Sequence, residues 1–258
     1  MKMKCLFVFG FGIFTCTNAP LLSAAELSEQ ARRNWPQWRG PKATGVAPQA
    51  APPTSWSETE RVKWKAKLPG FGTSTPIVWE DQVFVLTAIP TAKKAEDTAV
   101  APPAPPAPVE AAPPGNAQGG RRRGGGMRSE TPTDPCQFAV VALDRKSGEV
   151  RWQKAVRQEV PHEGHHRDHG FASASPVTDG ENLYVSFGSR GVHCLDLQGN
   201  VKWQKDLGKM VTRNAFGEGA SLALHAETLV VSWDHEGEDF IYRLGQEIRR
   251  GTLAAEAR

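Results

Sequence analysis

The sequence predicts an all-β protein, an incomplete β-propeller of four-stranded antiparallel blades. Three observations lead there. First, "STPIVWEDQVFVLTA" (74–88), "ASPVTDGENLYVSFG" (174–188) and "ASLALHAETLVVSWD" (220–234) superpose without gaps, each a short apolar strand, a polar turn and a β-rich run. Second, "FAVVALDRKSGEVRWQKAV" (138–156) and "GVHCLDLQGNVKWQKDL" (191–207) continue two of these units alike. Each has a third strand ending Leu-Asp, a glycine turn, and a fourth strand carrying Trp152 or Trp203, 51 residues apart. Third, Gly, Asn and Asp turns punctuate every unit at strand-length intervals, the pattern of propeller blades. A β-sandwich would not need units that superpose in sequence.

The elements follow in chain order. Lys2 and Lys4 precede an apolar run to about Cys16, and Ser23-Ala24-Ala25 supplies small residues for cleavage. Residues 1–25 therefore read as a signal peptide, cleaved after Ala25, sending the chain to the periplasm or outside the cell. Its removal takes away two lysines and no acid, so the formal charge falls from +3 to about +1. Such a near-neutral chain has no overall attraction for nucleic acid or anionic membrane. No second apolar stretch reaches membrane-spanning length. Cys136 and Cys194 remain, two isolated cysteines that read as free thiols rather than a disulfide framework.

Residues 26–60 are a lead-in segment. "RVKWKAKL" (61–68) reads as a fourth strand with no blade before it. The blades are expected at 71–156, 171–207 and 218–245, within a partial propeller spanning 61–258. The first is interrupted at 89–135 by a run rich in Pro and Ala, then Gly and Arg, which cannot bury a core and is expected to be disordered. "RRRGGG" (121–126) within it resembles an RNA-binding tract, but no aromatic residues are interleaved, and a solvated linker is the plainer reading. The third unit breaks off. After "EDFIYRLG" (238–245) comes "QEIRRGTLAAEAR", with neither the Asp nor the Trp that the other units place there. Somewhat under three blades plus an orphan strand is less than the four to eight that close a ring. The expectation is a truncated or frame-shifted copy of a longer repeat protein, the shift falling near Tyr242. The alternative is a short protein that self-associates through its open blade edges.

Antiparallel strands sort the connections. Links between strands two and three, and from strand four to the next blade, lie on one face, where a rigid sheet holds functional loops. That face collects 157–171, 188–191, 208–219, 234–239 and the insertion. His165, His166, Asp168 and His169 lie in the first of these loops, Arg213, Asn214 and Glu218 in the third, and Asp234, His235 and Glu236 in the fourth. These ten are the expected ligand-binding residues. Imidazole ligates zinc, copper and iron, so His165, His169 and His235 are the metal candidates. The spacing fits no established metal motif, however, and Pro161, Gly164 and Gly170 argue against a helix, so the histidine segment is read first as a polar connector. Ser173 and Ser175 precede a strand as Ser74 does, which assigns them turn roles. No catalytic residue is assigned.

The blade ending "ALDxxxGEVxW" resembles the pyrroloquinoline-quinone-type (PQQ-type) propeller repeat. "NWPQWRGPKATGVAP" (34–48), "PHEGHH", "FGSRGVHCLDL" and "WDHEGEDF" are similar to one group of exported bacterial proteins carrying that repeat, mostly of unassigned function. The repeat occurs in quinoprotein dehydrogenases and in a scaffold protein of outer-membrane barrel assembly, so it implies the fold more firmly than an activity. Two functions compete. One is a non-enzymatic binding or scaffold module that takes a protein or another cell-envelope component on its loop-rich face. The other is a PQQ-dependent dehydrogenase, for which the resemblance alone implies pyrroloquinoline quinone and calcium. The missing blades would remove most of the axis such an enzyme needs, which favours the binding module.

Overall fold

A computed structural model describes residues 29–47, 50–91, 129–226 and 228–244. The expected signal peptide, the bulk of the Pro/Arg insertion and the tail after Leu244 lie outside them. The described residues are nearly all β, in three antiparallel sheets.

Sheet one runs β1 (Ile77–Trp79), β2 (Gln82–Pro90), β3 (Cys136–Asp144) and β4 (Val150–Glu159) in spatial order. Sheet two repeats this with β5 (Val177–Thr178), β6 (Asn182–Ser186), β7 (Val192–Asp196) and β8 (Val201–Lys205). Sheet three has β9 (Ala223–His225), β10 (Thr228–Trp233) and β11 (Phe240–Leu244). The registers are equivalent: Val83 faces Leu143, Leu183 faces Leu195, and Leu229 faces Leu244. The strand pairing reaches into the expected insertion at its start, with Ile89 facing Gln137 and Pro90 facing Cys136, and Thr91 N–H donating to the Pro135 carbonyl.

The sheets stack face to face. Between sheets one and two lie Phe84, Phe138, Val140, Leu183, Val185 and Phe187. Between two and three lie Val177, Tyr184, Leu229, Val231 and Leu244. Phe84 and Phe138 are wholly buried, each contributing about 1.5–3 kcal/mol. Cys136 and Cys194 are free and buried, one in each of these two clusters. Repetition extends to irregularities. A β-bulge sits between Ala142 and Leu143 and again between Cys194 and Leu195, leaving Arg151 and Lys202 as the extra residues. Bulges re-aim side chains: Arg151 reaches Asp144 and Asp81, each at 2.6 Å, while Lys202 Nζ reaches Asn182 Oδ1 at 2.5 Å. Arg151, with the Ser147 and Lys146 N–H groups, holds the Asp144 carboxyl far below its usual range.

The tryptophans join each blade to the next. Trp64 Nε1 donates to the Arg145 carbonyl, and Trp152 Nε1 to the Leu197 carbonyl, both at 3.0 Å. Each ring lies on a turn glycine, Gly148 (φ 76°) or Gly199 (φ 90°), where a Cβ would come within 2.6 or 2.9 Å of it. Trp203 is buried too, but its Nε1 has no partner among the described residues. The segment 61–68 differs from expectation in one respect: it carries no strand pairing. A fourth strand needs a third beside it, and none lies there among the described residues. Trp64, Ala66 and Leu68 still alternate inward onto Val83, Val85, Val141 and Leu143, a period of two that belongs to an extended chain.

Candidate functional site: the interlocked loops

The four loops sorted to one face touch one another. In the histidine loop, His162 Nε2 meets the Met210 carbonyl at 2.7 Å, which requires that nitrogen to carry the proton. The Glu163 carboxylate accepts from both the Thr212 N–H and its hydroxyl at 2.9 Å. His166 N–H donates to the Phe216 carbonyl, and Ser129 N–H to that of Asn214. Glu236 N–H donates to the Val211 carbonyl, so the acidic hairpin joins the same network. Residues 160–171 form no helix. Pro161 and the glycines leave a connector whose backbone bonds go to its neighbours.

The predicted site residues divide into two groups. His165 stacks edge-on against Phe171 with centroids 4.6 Å apart, and His166 against Phe216 at 5.1 Å. His169 Nδ1 is 2.5 Å from the Ser173 hydroxyl, and partial burial moves its pKa downward. Glu218 is the most enclosed. It accepts from the Ser189 N–H, the Ser189 hydroxyl at 2.7 Å and Arg190 Nη1 at 3.0 Å. His166 and Glu218 join one loop to another, whereas His165 and His169 find these partners within their own segment. The others are outward. Asp168, Arg213, Asn214, Asp234 and Glu236 are exposed, and His235 is half-buried with Nδ1 accepting from the Gly237 N–H. Asn214 holds a left-handed conformation, φ 57°, that bends the 213–215 turn.

Sequence reasoning missed the partners of Glu218. Arg190 is 2% exposed, its guanidinium 5.5 Å from the Phe138 ring centre and 5.3 Å from that of Phe171. A buried ion pair sandwiched by aromatic faces has no local sequence signal, although Gly188-Ser189-Arg190-Gly191 had been placed on this face. His193, also buried, gives its Nε2 to the Arg190 carbonyl at 3.0 Å. Burial pushes its pKa down to about 4, so near neutrality it is uncharged.

The interlocked base leaves little room. The cleft between Phe171, Phe187, Met210, Glu218 and Val231 encloses about 10 Å³, space for one water. A hollow of about 560 Å³ lies elsewhere, between the lead-in segment and the short-turn side of blade one, lined by Arg32, Arg33, Trp35, Val78 and Arg145. Among the described residues no three His, Cys, Asp or Glu side chains are grouped to hold a metal ion. His165, His169 and His235 thus form no ligand set there.

With the blades and loops placed, comparison with known proteins adds a partial match. Residues 137–246 match the family model described as outer membrane protein assembly factor BamB. That stretch is similar to the PQQ-type propeller repeat. A crystal structure of BamB from Moraxella catarrhalis is 15% identical, with a TM-score of 0.30, over 47% of this chain and 37% of that one. The chain thus covers well under half of that structure's length. No curated protein matches.

Proposed function

We propose that this protein is an exported, non-catalytic propeller module that holds a protein of the cell envelope on its loop-rich face. One observation carries the reading. Three loops are pinned to each other at their bases through Glu218, Arg190, Glu163 and Thr212, and the fourth through the Glu236 N–H, while Asp168, Arg213, Asn214, Asp234 and the Glu236 side chain stand exposed. Such an arrangement presents a pre-ordered polar surface, which lowers the entropy lost on docking. Export rests on the leader-like residues 1–25 and their cleavage after Ala25.

The test places a photo-crosslinking residue at Arg213 or Glu236, and separately at Ser147 or Gln198 on the short-turn side, in protein expressed in its own cells. Adducts of one defined mass from the first pair and none from the second support the proposal. Equal adducts from both faces, or none, refute it. The competing oxidoreductase reading makes a different prediction. Purified protein with pyrroloquinoline quinone and calcium would reduce an artificial dye in the presence of alcohols or sugars. We expect no such turnover and no retained quinone.

A further inference from the structure

The lead-in sequence "NWPQWRGPKATGVA" (34–47), which takes no part in the loop-rich face, is fixed to the short-turn side of the first blade. Trp35 and Val78 exchange two main-chain hydrogen bonds at 2.9 Å, one bridge beyond β1. Asn34 Oδ1 accepts from the Glu80 N–H at 2.7 Å, and Gln30 Nε2 donates to the Glu80 carboxylate at 2.6 Å. The Pro36 carbonyl accepts from the Thr178 N–H at 2.9 Å, which ties the same segment to the second blade. Gly40 (φ 77°) brings the returning turn so close that a Cβ there would stand 2.7 Å from the Trp35 ring, so the indole is clamped. Between this framework and the blade lies the hollow of about 560 Å³, within the range of small-molecule sites.

The lining divides by chemistry. Trp35, Pro41, Ala47, Ala50 and Val78 supply apolar surface, while Arg32, Arg33 and Arg145 set three guanidiniums against the carboxylate of Glu29. Arg145 Nη1 donates to the Glu80 carbonyl at 3.1 Å, which leaves its Nε and Nη2 without a partner among the described residues. Arg32 and Arg33 reach Glu29 at 3.5 and 3.4 Å in exposed pairs, a kind that holds weakly. We propose that this hollow binds an organic anion, a carboxylate or phosphate ester on an apolar body, its charge met by the three arginines and its body lying against Trp35 and Val78. Two donors on one edge of a guanidinium match the oxygens of a carboxylate or phosphate in pairs, and a ligand without that charge would leave the excess of arginine uncompensated. None of the bonds that fix the wall depends on the ligand, so the site is formed beforehand and little ordering is lost on binding. A partner on the loop-rich face and an anion here are independent, since the two sites lie on opposite sides of the blades.

The experiment titrates the purified full chain by calorimetry with 2-naphthyl phosphate, 2-naphthoate and the uncharged 2-naphthylmethanol. At least one of the anions is expected to bind at a single site, about tenfold or more tighter than the alcohol, and the tighter of the two identifies the acid group. Arg145→Gln removes a charged donor pair and is expected to weaken that anion about tenfold or more. Ala50→Trp fills the hollow without changing its charge and is expected to weaken it by a similar factor. Lys146→Gln removes a neighbouring charge that does not line this hollow and should leave the affinity within about threefold. All three residues are exposed, so the substitutions spare the core. No binding of either anion at about 1 mM, equal affinity for the alcohol, or an affinity that Arg145→Gln or Ala50→Trp leaves unchanged overturns the proposal. A loss as large in Lys146→Gln as in Arg145→Gln overturns it too, because the attraction would then be diffuse.

Discussion

Replacing Glu218 by leucine isolates the contact that joins the second blade's loop to the third's. Glu218 holds the Ser189 N–H, the Ser189 hydroxyl at 2.7 Å and Arg190 Nη1 at 3.0 Å, with its own side chain 6% and that of Arg190 3% exposed. Without the carboxylate, a buried guanidinium loses its counter-charge, a change that costs about 3–5 kcal/mol. The faces of Phe138 and Phe171 still stabilise Arg190 by about 0.5–2 kcal/mol, so about 3 kcal/mol is the expected loss. Urea unfolding followed by tryptophan fluorescence reads it as a midpoint lowered by roughly 1–3 M, taking a slope of about 1–3 kcal/mol/M. Arg190→Met alone leaves Glu218 with its two Ser189 donors and is expected to lose about 2 kcal/mol. The double variant buries two apolar side chains and no charge, so it loses less than either single change. A shift below about 0.3 M for Glu218→Leu, or a double variant that loses the sum of the two, would refute the reasoning.

Three further outcomes follow from other sites. Burial holds His193 at about 4, with Arg157 lowering and Asp206 raising it to a smaller extent, while an unfolded histidine titrates near 6.5. The unfolded chain therefore takes up the proton first. Stability is full above pH ~6.5 and falls as pH drops toward about 4, by about 2–3 kcal/mol at pH 4.5. Urea midpoints at pH 7 and 4.5 should differ accordingly, and His193→Gln should shrink the difference. Gly199→Ala must fit a Cβ at φ 90° and 2.9 Å from Trp152, so a loss of about 1–3 kcal/mol is expected; unchanged thermal unfolding would contradict the docking role. Burial pushes the Cys194 thiol up to about 12 and raises that of Cys136. Neither should react with a thiol reagent in the native protein, and both should in denaturant; native labelling at Cys194 would show that its cluster is open.

The blades were legible in the sequence because a propeller repeats its physics. Strand period, turn glycine and tryptophan recur at fixed offsets, and Leu143, Leu195 and Leu244 hold equivalent pairing positions as the gapless alignment implies. Segment 61–68 shows the limit of that reading. Its residues have the composition of a fourth strand, but a strand exists only where a neighbour accepts its hydrogen bonds. The loops were legible as to face but not as to role. Glu218 and His169, expected on the ligand-binding face, meet Arg190 and Ser173, partners that no local pattern announces. Arg190 gave no signal, since an arginine between two glycines reads as surface until Phe138 and Phe171, 52 and 19 residues away, are seen to enclose it. The bulges that aim Arg151 and Lys202 left no mark in the residue types either.

The indole contacts set an order in time. Trp64 is fastened by a carbonyl 81 residues downstream and Trp152 by one 45 residues downstream. A chain made from its N-terminus at about 5–20 residues per second therefore holds each tryptophan loose for seconds, until the next blade's turn has been made. Assembly must run one blade behind synthesis. The open end travels along the molecule during translation, and the turn after β11 that would fasten Trp203 of the second blade lies outside the described residues.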